Sequence, residues 1–278
     1  MDWLRVTAKK VPAITAYFWV VKLLTTAMGE ATSDYTVHKI DPVVAVSLGG
    51  VAFVVALGLQ LVVRRYIAWV YWLAVVMVAV FGTMCADVLH VRFGVSYGAS
   101  TAMFATVLVV VFLVWYRVEG TLSIHSITTL RRELFYWAAV LSTFALGTAA
   151  GDLTAYTFRL GFFSAGLLFT GVIAVPALAY AAGALNEVAA FWAAYVVTRP
   201  LGASFADWMG VPTSLGGLDW GRGTVSVALS ALIVAFVVLL SVTRVDVRDE
   251  ERSVPVRSGV PGPRPSAVPA HVRSRQRR

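Results

Sequence analysis

The chain has 278 residues, of which 59% are hydrophobic and 14% carry a charged side chain, and its formal net charge is +8. Soluble domains carry about 25% charged residues, so this composition argues against a soluble globular protein. The positive charge does not indicate nucleic-acid binding, because much of it lies in an arginine-rich segment after residue 243 and no other feature supports that function. The single cysteine, Cys85, excludes an internal disulfide and a cluster of thiolate metal ligands.

Apolar blocks recur along the chain, each close to the ~20 residues that cross a bilayer as a helix. Lipid requires each segment to satisfy its own backbone hydrogen bonds, so we predict an all-α polytopic membrane protein of about eight transmembrane helices. The predicted spans are 12–33, 43–63, 67–87, 98–116, 134–155, 161–182, 187–207 and 223–243. Arg199 and Pro200 are expected to kink the seventh helix, because proline removes a backbone hydrogen bond.

A fourfold internal repeat is the strongest feature of the sequence. Each copy has a tryptophan that follows an aromatic residue, a glycine ten residues later and an aspartate fifteen residues later. The members are Trp19, Trp72, Trp137 and Trp192; Gly29, Gly82, Gly147 and Gly202; and Asp34, Asp87, Asp152 and Asp207. Each copy is predicted to form one motif helix and one plain apolar helix. Two crossings per copy return the chain to its starting side, so the four repeats are parallel.

The repeats are predicted over residues 1–63, 64–117, 118–183 and 184–243, and a disordered basic cytoplasmic tail over 244–278. The tryptophan, glycine and aspartate of each motif fall on one broad helical face, which we expect to face the interior of the bundle. The glycines are interpreted as packing positions, because small residues let helices approach closely in lipid.

The four aspartates lie at matched depth, and a carboxylate near a helix centre costs about 2.5 to 3.5 kcal/mol, so each needs a partner. The first copy adds Lys22 and Glu30 on the same face as Asp34. These six residues predict a binding site for a cation or a proton, with Lys22 as the internal counter-ion. The alternative places the aspartates at the headgroup boundary, hydrogen-bonded to a neighbouring turn.

His90 follows Asp87 by three residues, a spacing that can place imidazole and carboxylate on one helical face. The metal-site hypothesis therefore comprises His90 and the four motif aspartates, and its alternative is a histidine hydrogen-bonded to solvent in an outer loop. Oxygen ligands favour the Mg, Ca and Mn class over copper or zinc.

Lysine and arginine are concentrated on one side of the predicted helices, which predicts that both termini are cytoplasmic in a plasma-membrane protein. The tryptophans then lie toward the cytoplasmic end of each motif helix, and the aspartates lie about 22 Å further out. Membrane lipids are the expected surroundings. The small-residue faces are compatible with a monomeric bundle and with a homo-oligomer.

The motif segments also carry a family resemblance. They read YFWVVKLLTTAMGEATSD at 17–34, FGTMCAD at 81–87, LGTAAGD at 146–152 and RPLGASFAD at 199–207. Over residues 10–243 the chain resembles a bacterial membrane-protein family of unknown function, in which four tandem two-helix units each carry a tryptophan. The resemblance implies this architecture and supplies no reaction, substrate or cofactor.

The residues themselves favour a secondary transporter, proton-coupled, that moves a small cation such as divalent Mn through a carboxylate-lined interior. No cofactor is expected. A non-catalytic membrane scaffold or sensor, whose polar residues serve helix packing, is the main alternative. A membrane enzyme acting on a lipid-linked substrate is a third class, but the sequence offers no set of nucleophile, base and orienting residue.

Overall fold

The computed structural model describes residues 9–247, apart from the side chain of Val91. Within that range the chain is all-α, which confirms the predicted fold class. The helices are α1 (Ala16–Lys39), α2 (Pro42–Val62), α3 (Ala68–Asp87), α4 (Tyr97–Glu119), α5 (Leu130–Asp152), α6 (Gly161–Ala181), α7 (Glu187–Gly210) and α8 (Arg222–Thr243). A π-helical turn continues α3 over Val88–Arg92, and another continues α5 over Leu153–Thr157.

Local sequence explains where several helices begin. A side-chain oxygen of the preceding residue accepts a backbone N–H from the first turn and so satisfies a donor that has no partner within the helix. These capping residues are Thr15, Asp41, Ser96, Thr129 and Asn186. At the other end of α4, Gly120 adopts the left-handed conformation that commonly ends a helix.

Six of the described helices, α2 to α6 and α8, are long and apolar enough to cross a membrane. The other two, α1 and α7, have 24 residues each and carry buried charged side chains, which lowers their hydropathy. Both pack beside α3 or α5 with their repeat motifs in register, so they belong to the same bundle as the six candidate spans. The chain is therefore a multi-pass membrane protein.

The four motif helices form a ring in which each motif glycine faces the next motif helix. The residue that it meets lies seven positions after the tryptophan of that helix. The pairs are Gly29 with Ala79, Gly82 with Phe144, Gly147 with Arg199, and Gly202 with Thr26. A Cβ added to Gly29 would lie 2.6 Å from the Ala79 Cβ, and one added to Gly82 would lie 2.7 Å from the Phe144 Cβ. The fourth pair joins α7 back to α1, so the ring is closed around one axis.

The four plain helices pack around the outside of the ring of motif helices. Helix α2 packs mainly on α3, α4 on α5, α6 on α7, and α8 on α1. Each plain helix thus covers the motif helix of the following copy. Their outer faces carry exposed aliphatic side chains such as Val51, Val110, Leu178 and Val234, as expected of surfaces that contact lipid.

Aromatic side chains fill the end of the ring at which the tryptophans lie. The aromatic residue before each tryptophan contacts the tryptophan of the next copy. The ring-centroid distances are 5.8 Å for Phe18 and Trp72, 5.8 Å for Tyr71 and Trp137, 6.1 Å for Tyr136 and Trp192, and 5.7 Å for Phe191 and Trp19. The hydroxyls of Tyr71 and Tyr136 are hydrogen-bonded at 2.5 Å within this cluster. We call it the aromatic end, and the opposite end the aspartate end.

We expect Tyr71→Phe to destabilise the protein by about 1 kcal/mol, because it removes this buried hydrogen bond and keeps the ring contacts. Thermal unfolding in detergent, followed by tryptophan fluorescence, measures the change. Tyr180→Phe is the matched control, since Tyr180 is 52% exposed. Equal unfolding midpoints for the two variants would show that the hydroxyl pair does not stabilise the cluster.

The segments that flank the helices are tied to the aromatic end. Lys10 Nζ donates to Glu133 Oε2 at 2.5 Å, and the backbone N–H of Ala13 donates to the carbonyl oxygen of Asp246 at 2.8 Å. The Tyr66 hydroxyl donates to the Asp246 carboxylate, and burial raises the pKa of Asp246. Asp246, in the predicted disordered tail, is therefore buried and hydrogen-bonded, and residues 248–278 lie outside the described residues.

Candidate functional site

Arg199 lies at the centre of the ring with its side chain fully buried. Its Nη2 donates to Glu30 Oε2 at 2.5 Å and to Thr148 Oγ1 at 2.8 Å, and it also donates to the Thr83 hydroxyl. Its Nη1 donates to the carbonyl oxygen of Thr26 at 2.7 Å. Glu30 is 4% exposed, so this is a buried ion pair in which Arg199 also donates to three further acceptors.

The repeat explains why one arginine can make all these bonds. Glu30, Thr83 and Thr148 each lie eleven residues after the tryptophan of their own copy, and the fourth copy has Ala203 at that position. The copies are arranged around one axis, so three equivalent side chains converge on Arg199. The fourth copy supplies the guanidinium group of Arg199, and the other three copies supply the side-chain oxygens that accept its hydrogen bonds.

Lys22, the predicted counter-ion, forms no ion pair with a carboxylate among the described residues. Its ammonium nitrogen lies 3.8 Å from the ring centroid of Phe144 and 4.0 Å from that of Tyr195, and it has no hydrogen-bond partner among the described residues. A rise of 1.5 Å per residue places it about 18 Å from Asp34 along α1, too far to pair with that carboxylate. The cation paired with Glu30 is Arg199, and Lys22 contacts two aromatic rings.

The five predicted carboxylates lie in two groups at the aspartate end. Glu30, Asp34 and Asp207 form the first group, in which ligand atoms lie within 4.8 Å of one another. Arg222, the first residue of α8, contacts Asp34 Oδ2 through Nε at 2.9 Å. Arginines from α7 and α8 therefore contact two members of this group.

The second group contains Asp87, His90 and Asp152, and its ligand atoms also lie within 4.8 Å of one another. Asp87 accepts a hydrogen bond from the Ser33 hydroxyl at 3.2 Å, which connects the second group to α1. His90 Nδ1 lies 3.6 Å from Asp152 Oδ2. Both π-helical turns begin directly after an aspartate of this group, and such turns are frequent at functional sites.

The aspartates are neither fully buried nor free in solvent. The side chains of Asp34 and Asp152 are 16% and 15% exposed, and Asp207 is 9% exposed. They turn toward each other and toward polar groups of other helices rather than toward a neighbouring turn of their own helix. The arrangement can hold a cation between carboxylates or pass a proton from one carboxylate to the next.

Sequence reasoning missed Arg199 and Arg222 as site residues. An arginine within an apolar span is costly unless it has a partner, and that signal was present at Arg199. The sequence pattern at Arg199 and Pro200 indicated only the position of a kink in the seventh helix. In the structure α7 continues through both residues, and Pro200 Cδ would lie 2.9 Å from a Cβ added to Gly147.

Comparison with known families agrees with this fourfold order. A family described as Repeat of Unknown Function (DUF347) matches residues 17–66, 70–121, 135–183 and 190–246. The chain belongs to this family. Each DUF347 match contains one tryptophan, one glycine and one aspartate of the repeat motif. No curated protein and no solved structure matches the chain.

Proposed function

We propose that this DUF347 protein is a secondary transporter of a small cation. The observation that carries the proposal is the convergence of five carboxylates at one end of the ring. Asp34, Asp87, Asp152 and Asp207 come from four separate copies, yet with Glu30 they form two groups of closely spaced oxygens. Ionisable residues inside a membrane are costly and commonly mark ion or proton pathways.

The charge balance favours a cation over an anion. Among the described residues, the arginines that contact these five carboxylates are Arg199 and Arg222. An additional positive charge would therefore be stabilised between the carboxylates, most of all near Asp87 and Asp152, to which no arginine within residues 9–247 is ion-paired.

A proton is the proposed coupling ion. The Glu30 carboxylate lies between the buried guanidinium of Arg199 and the aspartates of the first group, so it can respond to charge on either side. Aromatic side chains fill the opposite end of the ring, and a change in how the parallel repeats pack would be needed to open it. The proposal assigns no catalytic reaction and no cofactor to the chain.

We also propose the plasma membrane as the location, with the aromatic end facing the cytoplasm. The support is the distribution of lysine and arginine, which is denser on the side of the tryptophans. In that orientation the aspartates receive a cation from outside or release one there.

Flux into proteoliposomes tests the function. We expect purified protein to move a divalent cation such as Mn²⁺ when a proton gradient is imposed, and the joint substitution of Asp34, Asp87, Asp152 and Asp207 by Asn to abolish flux. The matched control is Asp219→Asn, since Asp219 is an exposed aspartate in the loop before α8. Asp219 has a positive φ of 59°, a conformation that asparagine tolerates.

Three outcomes separate the possibilities. Loss of flux in the quadruple variant, with flux intact in Asp219→Asn, supports the carboxylate pathway. Equal flux in parent and quadruple variant would show that the aspartates do not carry the ion. Absence of flux for every cation tried, with folded protein in the vesicles, would overturn the transporter proposal.

A further inference from the structure

The second carboxylate group brings together three side chains that can bind a metal ion, two from the second repeat and one from the third. Asp87 ends α3, His90 lies in the π-helical turn that follows it, and Asp152 ends α5. One atom from each lies within 4.8 Å of the other two. An ion placed between them could thus meet one imidazole nitrogen and two carboxylate oxygens without a change of backbone.

The orientation of His90 is an independent observation that points to a ligand. Its side chain is 6% exposed, and Nδ1 faces Asp152 Oδ2 at 3.6 Å without a hydrogen-bond partner among the described residues. Its Nε2 lies 2.6 Å from Ser100 Oγ in α4. The imidazole is therefore hydrogen-bonded to Ser100 through Nε2, and Nδ1 is directed toward the carboxylates of Asp87 and Asp152.

Ser100 links the imidazole to α4. When its hydroxyl donates to the carbonyl oxygen of Tyr97 at 3.0 Å, Oγ accepts from His90, and Nε2 is the nitrogen that carries the proton. A neutral imidazole then has its lone pair on Nδ1, toward Asp87 and Asp152. Metal-binding histidines commonly donate their other N–H to a fixed acceptor in this manner, which fixes the tautomer.

The first carboxylate group is less suited to hold a metal ion. Arg199 contacts Glu30 at 2.5 Å and Arg222 contacts Asp34 at 2.9 Å. Two carboxylate oxygens of this group are therefore already paired with guanidinium groups. Asp87 and Asp152 receive only a serine hydroxyl and the imidazole among the contacts described. Their negative charge is the less compensated of the two groups.

We propose that Asp87, His90 and Asp152 form the substrate site for a first-row divalent transition metal ion, with Mn²⁺ the best match. Carboxylates suit Mg²⁺, Ca²⁺ and Mn²⁺, whereas imidazole favours transition metals, and Mn²⁺ is the transition metal among the three ions that carboxylates suit. The inference rests on the proposed transport of a cation and specifies where that cation binds. It narrows the predicted class of cations from Mg²⁺, Ca²⁺ and Mn²⁺ to Mn²⁺, since Mg²⁺ and Ca²⁺ prefer oxygen ligands alone.

Mn²⁺ titration of the detergent-purified full chain tests the site, with free Mn²⁺ followed by its electron paramagnetic resonance signal. We expect His90→Ala and Asp152→Asn to weaken Mn²⁺ binding by about tenfold or more, and Ser100→Ala to weaken it by about tenfold through loss of the imidazole orientation. His38→Ala is the matched control. His38 is an exposed histidine at the same end, and its Nδ1 lies 2.6 Å from the carbonyl oxygen of Asp34.

Comparison with Asp207→Asn separates this inference from the broader proposal. Retained affinity in His90→Ala together with lost affinity in Asp207→Asn would move the metal to the first group and overturn the inference, while cation transport would stand. Failure of the parent to bind Mn²⁺ while proteoliposomes carry another cation would also overturn it. Unfolding midpoints measured without metal identify any variant that has lost its fold. If His90→Ala or Asp152→Asn does not fold, Ser100→Ala tests the site, because it is the smallest change.

Discussion

Arg199→Met is expected to destabilise the protein by about 3 to 5 kcal/mol, the range observed when one member of a buried ion pair is removed. The substitution leaves the Glu30 carboxylate buried without its cation and removes the donor to Thr148 and Thr26. We expect a large drop in the thermal unfolding midpoint in detergent, with a low yield of folded protein.

Two further variants show whether the effect comes from the uncompensated charge. The double variant Arg199→Met with Glu30→Leu should recover most of the loss, because it removes both charges and keeps side chains of similar size. Arg222→Met is the matched control, since the side chains of the Arg222–Asp34 pair are 27% and 16% exposed, so its loss leaves a less buried carboxylate and should cost less. If Arg199→Met costs no more than Arg222→Met, Arg199 does not organise the centre of the ring.

Gly29→Ala and Gly58→Ala are expected to change stability in opposite directions. A Cβ added to Gly29 would lie 2.6 Å from the Ala79 Cβ and 2.9 Å from the Ala79 carbonyl carbon. The backbone of α3 cannot give way locally, so α1 and α3 must separate, at a cost of about 1 to 3 kcal/mol. A Cβ added to Gly58 meets nothing within 4 Å.

The control variant Gly58→Ala should be stabilising by about 0.5 to 1 kcal/mol, because alanine restricts the unfolded chain and favours the helix. Unfolding midpoints of the two variants, measured side by side, give the signs. A stabilising Gly29→Ala would contradict the close contact of α1 with α3 and with it the closed ring.

The architecture could be predicted because lipid and repetition both restrict it. Apolar blocks near the length of a bilayer give helices, and a motif with constant spacing gives their register. The same reasoning predicted that the motif helices are parallel, from which one common depth for the aspartates follows. It could not give the order of neighbours around the ring, since that order depends on which small residue meets which side chain.

The site was predictable only in part. The sequence indicated the aspartates, Glu30 and His90, because charge and imidazole inside or beside a span are unusual. The pairing of Glu30 with Arg199 joins residues 169 positions apart, and nothing in local spacing indicates it. The separation of Lys22 from Asp34 is visible in the sequence, since twelve helical residues place the two about 18 Å apart along α1.

The role of His90 illustrates what side-chain contacts add. Its spacing from Asp87 indicated one helical face, whereas the structure has a π-helical turn there and an interaction with Ser100 of the next helix. Asp152 joins the same group from another repeat. All three candidate ligands were therefore among the residues predicted from the sequence, and the packing of α3 against α5 shows that Asp152 is the aspartate that joins Asp87 and His90.

The claim that the aspartates serve a cation rather than helix packing is tested most directly by a thermal-shift screen against Mn²⁺, Mg²⁺, Ca²⁺, Zn²⁺ and Na⁺. A ligand that binds only the folded state raises the unfolding midpoint. We predict that Mn²⁺ raises the midpoint of the parent and of Asp219→Asn, and leaves that of the quadruple Asp→Asn variant unchanged. No shift with any ion, or the same shift in the quadruple variant, would contradict a carboxylate-based cation site.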